Sequence, residues 1–172
     1  MPSTDRQALF SGTKEAAPAL QLDTGRLAAY LGAQLPGFGG PLQVRQFKGG
    51  QSNPTYLIEA PGGRFVLRRK PPGKLLPSAH AVDREYHVMR ALFAQGFPVA
   101  EPLLYCADEA IVGTPFYVAA FVDGRVFWEP SMPGSNPAER AAVYDMMNAT
   151  LARLHSFDPA AIGLADFGRG EN

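Results

Sequence analysis

Three features of this sequence could act together on an anionic ligand. The first is the turn Lys48-Gly49-Gly50-Gln51-Ser52-Asn53. Adjacent glycines let a backbone approach a ligand without Cβ interference, and successive N–H groups in such a turn can point at phosphate oxygens. The turn matches neither the Walker A pattern nor G-x-G-x-x-G, and a plain hairpin is its other reading. The second feature is Arg68, in Phe65-Val66-Leu67-Arg68. A cation one strand after a glycine turn could reach phosphates held under that turn. The third is Glu85, three residues after Val82 and four before Met89, so it shares the edge of an apolar helical stripe. A carboxylate on a buried face is costly unless paired, and Arg68 on the sheet beneath would pair it. A structural ion pair without a ligand, or a local pair with Arg84 or Arg90, is the competing reading.

The elements that would position these residues follow from periodicity and breakers. Residues 1–22 lack sustained periodicity and read as a flexible lead-in. Thr24 can cap a short helix carrying Leu27, Tyr30, Leu31 and Leu35 before Pro36-Gly37 ends it. Strands are expected over residues 42–48, 55–60 and 64–70, with a turn at Pro61-Gly62-Gly63 and Phe65 and Leu67 on one face. The best-specified helix spans residues 78–95, with Ser78 as cap and Gly96 as left-handed terminator. Val82, Tyr86, Met89 and Phe93 form its apolar stripe. Two more strands follow, over residues 103–107 and 115–122. The last helix opens on Asn136, Pro137 and Glu139, a capping-box pattern. Its inward face is Val143, Met147, Thr150, Leu151 and Leu154. This order makes an α+β unit: a five-stranded antiparallel sheet with one packed helix, followed by the start of a helical region.

Composition narrows the partners. With 46% hydrophobic and 19% charged residues, the 172-residue chain is ordinary for a folded soluble domain. No stretch approaches the roughly 20 apolar residues of a membrane helix, and no secretory leader is visible. Cys106, the one cysteine, cannot form an internal disulfide, which fits a reducing cytoplasm. Net charge is zero, so no general attraction to nucleic acid or anionic lipid is expected. The charge is nonetheless lopsided. Residues 1–74 hold ten Lys/Arg against four Asp/Glu, and the rest holds six against twelve. Arg64, Arg68, Arg69, Lys70 and Lys74 form the densest basic stretch, read either as a solvated strand edge or as an anion site.

A glycine-containing loop, a third-strand cation and a helix glutamate in that order are what protein-kinase-like folds use on nucleotides. The chain resembles the aminoglycoside phosphotransferase/choline kinase family of small-molecule kinases. The resemblance rests on residues 50–56, 65–68, Arg84-Glu85-Tyr86 and Leu151-Ala152-Arg153-Leu154-His155. Residues 69–86 are further similar to kinase-like domains fused to, or encoded beside, acyl-CoA dehydrogenases. The resemblance implies a protein-kinase-like N-lobe with its leading helix over residues 23–122. Residues 123–172 would be the hinge exit and the first part of a helical C-lobe. It implies that Gly49, Gly50, Gln51, Ser52 and Asn53 form the nucleotide-phosphate loop. Arg68 would bind α/β-phosphate oxygens, and Glu85 would orient it. The carbonyl of Ala120 and the amide of Val122 would pair with adenine, with Ala119 in the gatekeeper place. ATP and Mg²⁺ are the implied cofactors.

The sequence also departs from that family. The His-Gly-Asp-x-x-x-x-Asn catalytic loop and the later Mg²⁺-binding aspartate are absent, and Asp166-Phe167-Gly168 comes too early to replace the latter. The chain therefore reads as the amino-terminal half of a kinase about twice its length, with catalytic residues and metal ligands expected beyond Asn172. The parent is expected to move the ATP γ-phosphoryl group to a small-molecule hydroxyl, with a hydroxyacyl-CoA as the substrate suggested by the dehydrogenase link. The rival reading is a non-catalytic, kinase-shaped binding or scaffold module. His80 and His87 read as surface or packing residues, His155 as a structural histidine, and Cys106 as inert packing. Phe127 and Trp128 read as either a substrate entrance or a core anchor.

Overall fold

A computed structural model of the chain describes residues 6–49, 52–76 and 80–167. Its centre is an antiparallel sheet of strands β1 (Thr13–Lys14), β2 (Gln43–Phe47), β3 (Thr55–Ala60), β4 (Gly63–Arg69), β5 (Pro102–Cys106) and β6 (Phe116–Ala120). The spatial order is β1-β2-β3-β4-β6-β5, six strands where five were expected. The additional strand comes from the segment read as a flexible lead-in. Residues 6–20 instead form helix α1 (Arg6–Phe10), β1 and a 3-10 turn (Pro18–Leu20). Distant contacts organise them: Tyr56 donates its hydroxyl to the Leu20 carbonyl at 2.6 Å, and Gln7 Nε2 donates to the Val126 carbonyl at 2.8 Å.

Strand alternation gives the sheet two different faces. One carries Tyr56, Ile58, Leu67, Phe116 and Val118, which pack with Leu27 and Leu31 of helix α2 (Thr24–Gln34) and with Phe38. Leu27, Leu31, Tyr56, Ile58, Leu67, Phe116 and Val118 are all fully buried, the main apolar core. The other face carries Tyr117 and Ala119, packed against Val82, Tyr86 and Met89 of helix α3 (Val82–Ala94). β6 lies inside the sheet between β4 and β5 and is buried on both faces, hence the nearly continuous apolar run Phe116–Ala120.

The helix signals need correcting at several points. The α2 cap is Asp23, not Thr24: its carboxylate accepts from the Arg26 N–H at 2.9 Å. Helix α3 begins at Val82 with Ala81 in the cap position and no side-chain cap; Ser78 lies outside the described residues. Gly96 does take the left-handed conformation at its end, φ 65°, but Phe93 of the expected stripe is exposed. Helix α4 (Glu109–Val112), capped by Asp108, fills the connection read only as a turn.

Helix α5 (Pro137–His155) has the full capping box between Asn136 and Glu139. Its apolar stripe exists, yet Met147, Leu151 and Leu154 are exposed, and the helix has no buried residue among those described. The face read as inward is therefore uncovered here. Arg153 ties the helix to the end of α3 by donating to the carbonyls of Gln95 and Gly96. No helix among the described residues is long and apolar enough to cross a membrane.

Candidate functional site

Thr55, Arg68, Tyr117 and Tyr105 are directly paired across β3, β4, β6 and β5, so they form one row of the sheet. Arg68 and Tyr117 stand on the face that α3 crosses. Glu85, one turn into α3, meets them there. Arg68 Nε donates to Glu85 Oε2 at 2.7 Å, and Nη2 donates to Oε1 at 3.4 Å. The pair is partly shielded, with side-chain exposures of 26% and 34%. This settles the partner of Glu85. Arg84 turns outward, donating to the Phe167 carbonyl at 2.8 Å and lying over its ring.

Two further donors converge on the same carboxylate. Tyr117 donates its hydroxyl to Oε2 at 3.2 Å, and Asn53 Nδ2 donates to Oε1 at 3.0 Å. Burial pushes the Tyr117 phenol well above its ordinary pKa. The neighbouring Glu85 charge adds to that rise, and Arg68 opposes it. Arg68 Nη1 in turn donates to Thr55 Oγ1 at 3.1 Å and to the Asn53 carbonyl at 3.4 Å. Asn53 is only 2% exposed, and its Oδ1 lies 2.7 Å from His80 Nδ1.

The basic stretch that looked like one cluster is divided among three tasks. Arg64 pairs with Asp123 at 3.2 Å and covers the Phe121 ring. Arg68 faces the ion pair. Arg69, on the opposite sheet face, is 3% exposed, and its acceptors among the described residues are neutral: the Val112 and Leu20 carbonyls and the Tyr56 hydroxyl.

Beside the ion pair lies a cavity of about 1230 Å³, bordered by Thr55, Val66, Arg68, Glu85, Ala119 and Val122 among others. Val66 and Ala119 are paired across the sheet and give the cavity part of its apolar lining. Ala120 and Val122, expected to pair with a base, both border this cavity. The amide of Ala120 donates to the Glu101 carbonyl at 2.9 Å, and that of Phe121 to the Arg64 carbonyl at 3.2 Å.

Of the expected phosphate loop, Gly50 and Gln51 lie outside the described residues. Gly49 borders the cavity, but its bare face is taken by Trp128: a Cβ at Gly49 would sit 2.5 Å from the indole ring. Phe10 lies tilted against that indole with centroids 5.4 Å apart, and the Trp128 backbone N–H donates to Gln7 Oε1 at 3.2 Å. Ser52 is exposed, whereas the Asn53 side chain points into the ion-pair network. Sequence reasoning missed Thr55 and Tyr117 and read His80 as a surface or packing residue. The first two were recoverable as the strand partners of Arg68; His80 was not, since its backbone is left-handed with φ 58°.

The arrangement can receive an anion beside an apolar surface. A guanidinium held by a carboxylate presents charge to a cavity that is partly lined by apolar side chains. No group of three or more His, Cys, Asp or Glu placed to hold a metal occurs among the described residues.

Known proteins share this architecture. A family model described as the phosphotransferase enzyme family matches residues 43–172. Acyl-CoA dehydrogenase family member 11 of Gallus gallus is 52% identical over 167 residues, 95% of this chain and 21% of that protein. Acyl-CoA dehydrogenase family member 10 of Mus musculus is 48% identical over 130 residues, 76% of this chain and 12% of that protein. A solved structure from Ralstonia eutropha JMP134, provisionally named an aminoglycoside phosphotransferase, superposes with a TM-score of 0.75 at 46% identity. The superposition covers 88% of this chain and 44% of that one. The chain spans about a fifth of the length of the family member 11 relatives. Its fold is kinase-like, and the chain belongs to the phosphotransferase enzyme family.

Proposed function

We propose that the protein carrying this chain is an ATP-dependent small-molecule kinase, and that the residues described here hold its nucleotide. The observation that carries the reading is the 2.7 Å contact between Arg68 and Glu85 at the edge of the cavity. Arg68 keeps two long contacts, 3.4 Å each, to the Asn53 carbonyl and to Glu85 Oε1. Bonds at that length are weak, so an α- or β-phosphate oxygen can replace them without disturbing the short Nε bond. Ala120 and Val122 would meet the base along the cavity edge, and Gly49 to Asn53 would lie over the phosphates. Mg²⁺, when bound, would neutralise charge between the phosphates.

Transfer joins the acceptor oxygen to the γ-phosphorus and breaks its bond to the bridging oxygen, releasing ADP. The acceptor's proton passes to a base. No His-Gly-Asp sequence occurs in this chain, so the reading assigns base and metal ligands to a part of the protein other than these residues. The names of the relatives favour a hydroxylated acyl acceptor, such as a hydroxyacyl-CoA. A cytoplasmic site of action, suggested by the single cysteine Cys106, is part of the same proposal.

Thermal-shift titration of the full protein with Mg·ATP tests this. Saturating nucleotide should raise Tm by several degrees, since ligand at a hundred times Kd contributes about 2.7 kcal/mol. Arg68→Ala should remove most of that rise. An unchanged Tm in the wild-type protein would overturn the reading and favour a non-catalytic scaffold.

A further inference from the structure

His80, immediately before the Ala81 cap of α3, has φ 58°, a left-handed conformation that non-glycine side chains seldom adopt. Such strain persists where surrounding contacts hold it, and it gathers at functional sites. The contact here is specific. His80 Nδ1 lies 2.7 Å from Asn53 Oδ1, while Asn53 Nδ2 donates to Glu85 Oε1 at 3.0 Å. An amide turned the other way would set its oxygen against the carboxylate, acceptor against acceptor. Oδ1 therefore faces the imidazole, and His80 Nδ1 carries the proton.

We propose that His80 is a positioning residue, whose Nδ1–H locks the Asn53 amide so that Glu85 is held where it receives Arg68. The chain of bonds runs His80 to Asn53 to Glu85, with Arg68 and Tyr117 donating from the sheet side. Every link but the first touches the ion pair or its carboxylate, and the first sets the direction of the second. Asn53 closes the glycine turn, and its carbonyl also accepts from Thr55 Oγ1 at 3.0 Å and from Arg68 Nη1. Asn53, the third-strand cation and the start of α3 are thereby one mechanical unit. Without the imidazole donor the amide can rotate, Glu85 loses a fixed donor, and the guanidinium is freed to swing. The effect on nucleotide affinity rests on the kinase reading; the effect on Arg68 geometry does not.

Two variants separate the donor from the backbone. In His80→Asn the amide nitrogen takes the place of Nδ1, one bond from Cγ, and asparagine tolerates positive φ. His80→Gly relieves the backbone and deletes the donor. The Nε–Hε resonance of Arg68, assigned by its loss in Arg68→Lys, reads the ion pair in ¹⁵N-labelled full protein without nucleotide. Calorimetric titration with Mg·ATP reads affinity. His80→Gly should move or broaden the Arg68 signal and weaken Mg·ATP binding about fivefold to tenfold, the scale of one lost partly buried hydrogen bond. His80→Asn should restore both. An Arg68 signal unchanged in His80→Gly, or equally altered in both variants, would overturn the proposal. Wild-type protein that binds no Mg·ATP would sink the kinase reading while the resonance still decides the role of His80.

Discussion

Strand alternation sends Arg69 to the sheet face opposite Arg68, where its guanidinium bridges the Val112 carbonyl at 2.7 Å, the Leu20 carbonyl at 3.1 Å and the Tyr56 hydroxyl at 3.2 Å. Three acceptors at three corners match a planar fork and cannot be met by one ammonium. Arg69→Lys should therefore cost about 2–3 kcal/mol in urea unfolding, because buried acceptors are left without donors. Arg68→Lys, at the partly exposed cavity edge, should cost less than about 1 kcal/mol. Equal losses would refute this division of labour. The Arg68–Glu85 pair was legible because both positions follow from period-two and period-3.6 spacing. Arg69 was grouped with its neighbours because a run of like charges hides which face each one takes. The His80 contact was illegible for another reason: it depends on a positive φ that nothing in the local sequence signals.

At the scale of elements, the hairpin joining β3 to β4 sets where Thr55 and Arg68 stand. Its turn is clamped by the residues after α2, with Gly62 N–H donating to the Phe38 carbonyl at 2.8 Å. A Cβ at Gly62 would collide with the backbone oxygens of Gly37 and Phe38, which cannot move aside as a side-chain tip could. Gly62→Ala should lower stability by about 1–3 kcal/mol, as overpacking does. A thermal or urea midpoint equal to wild type would contradict it. The five strands read from the sequence lie within one or two residues of their true ends, since Gly and Pro punctuate them sharply. Elements α1 and β1 escaped notice because each is short and held by residues far along the chain. The stripe of α5 was readable from its spacing, but what covers a stripe is a tertiary fact.

At the scale of the whole molecule, four tyrosines on both sheet faces are held protonated. Burial is the leading cause at Tyr30, Tyr56, Tyr105 and Tyr117, all raised from an ordinary 10.0, and Tyr30 is pushed up to about 12. In the unfolded chain these phenols ionise near their ordinary value, so between that value and the folded one the unfolded state holds fewer protons. Their contribution to stability is complete below pH 10 and drains away as pH climbs toward 12 and beyond. Urea midpoints at pH 9, 10, 11 and 12 should fall progressively over the last three; a flat series would contradict the assignment. Another consequence concerns the indole that rests on Gly49. Trp128 is the chain's one tryptophan, and its ring N–H is buried without an acceptor among the described residues. Its intrinsic fluorescence is thus a native optical gauge of how closely the strand-exit loop hugs the glycine turn. Lifting that loop would wet the ring and redden its emission, with no dye attached.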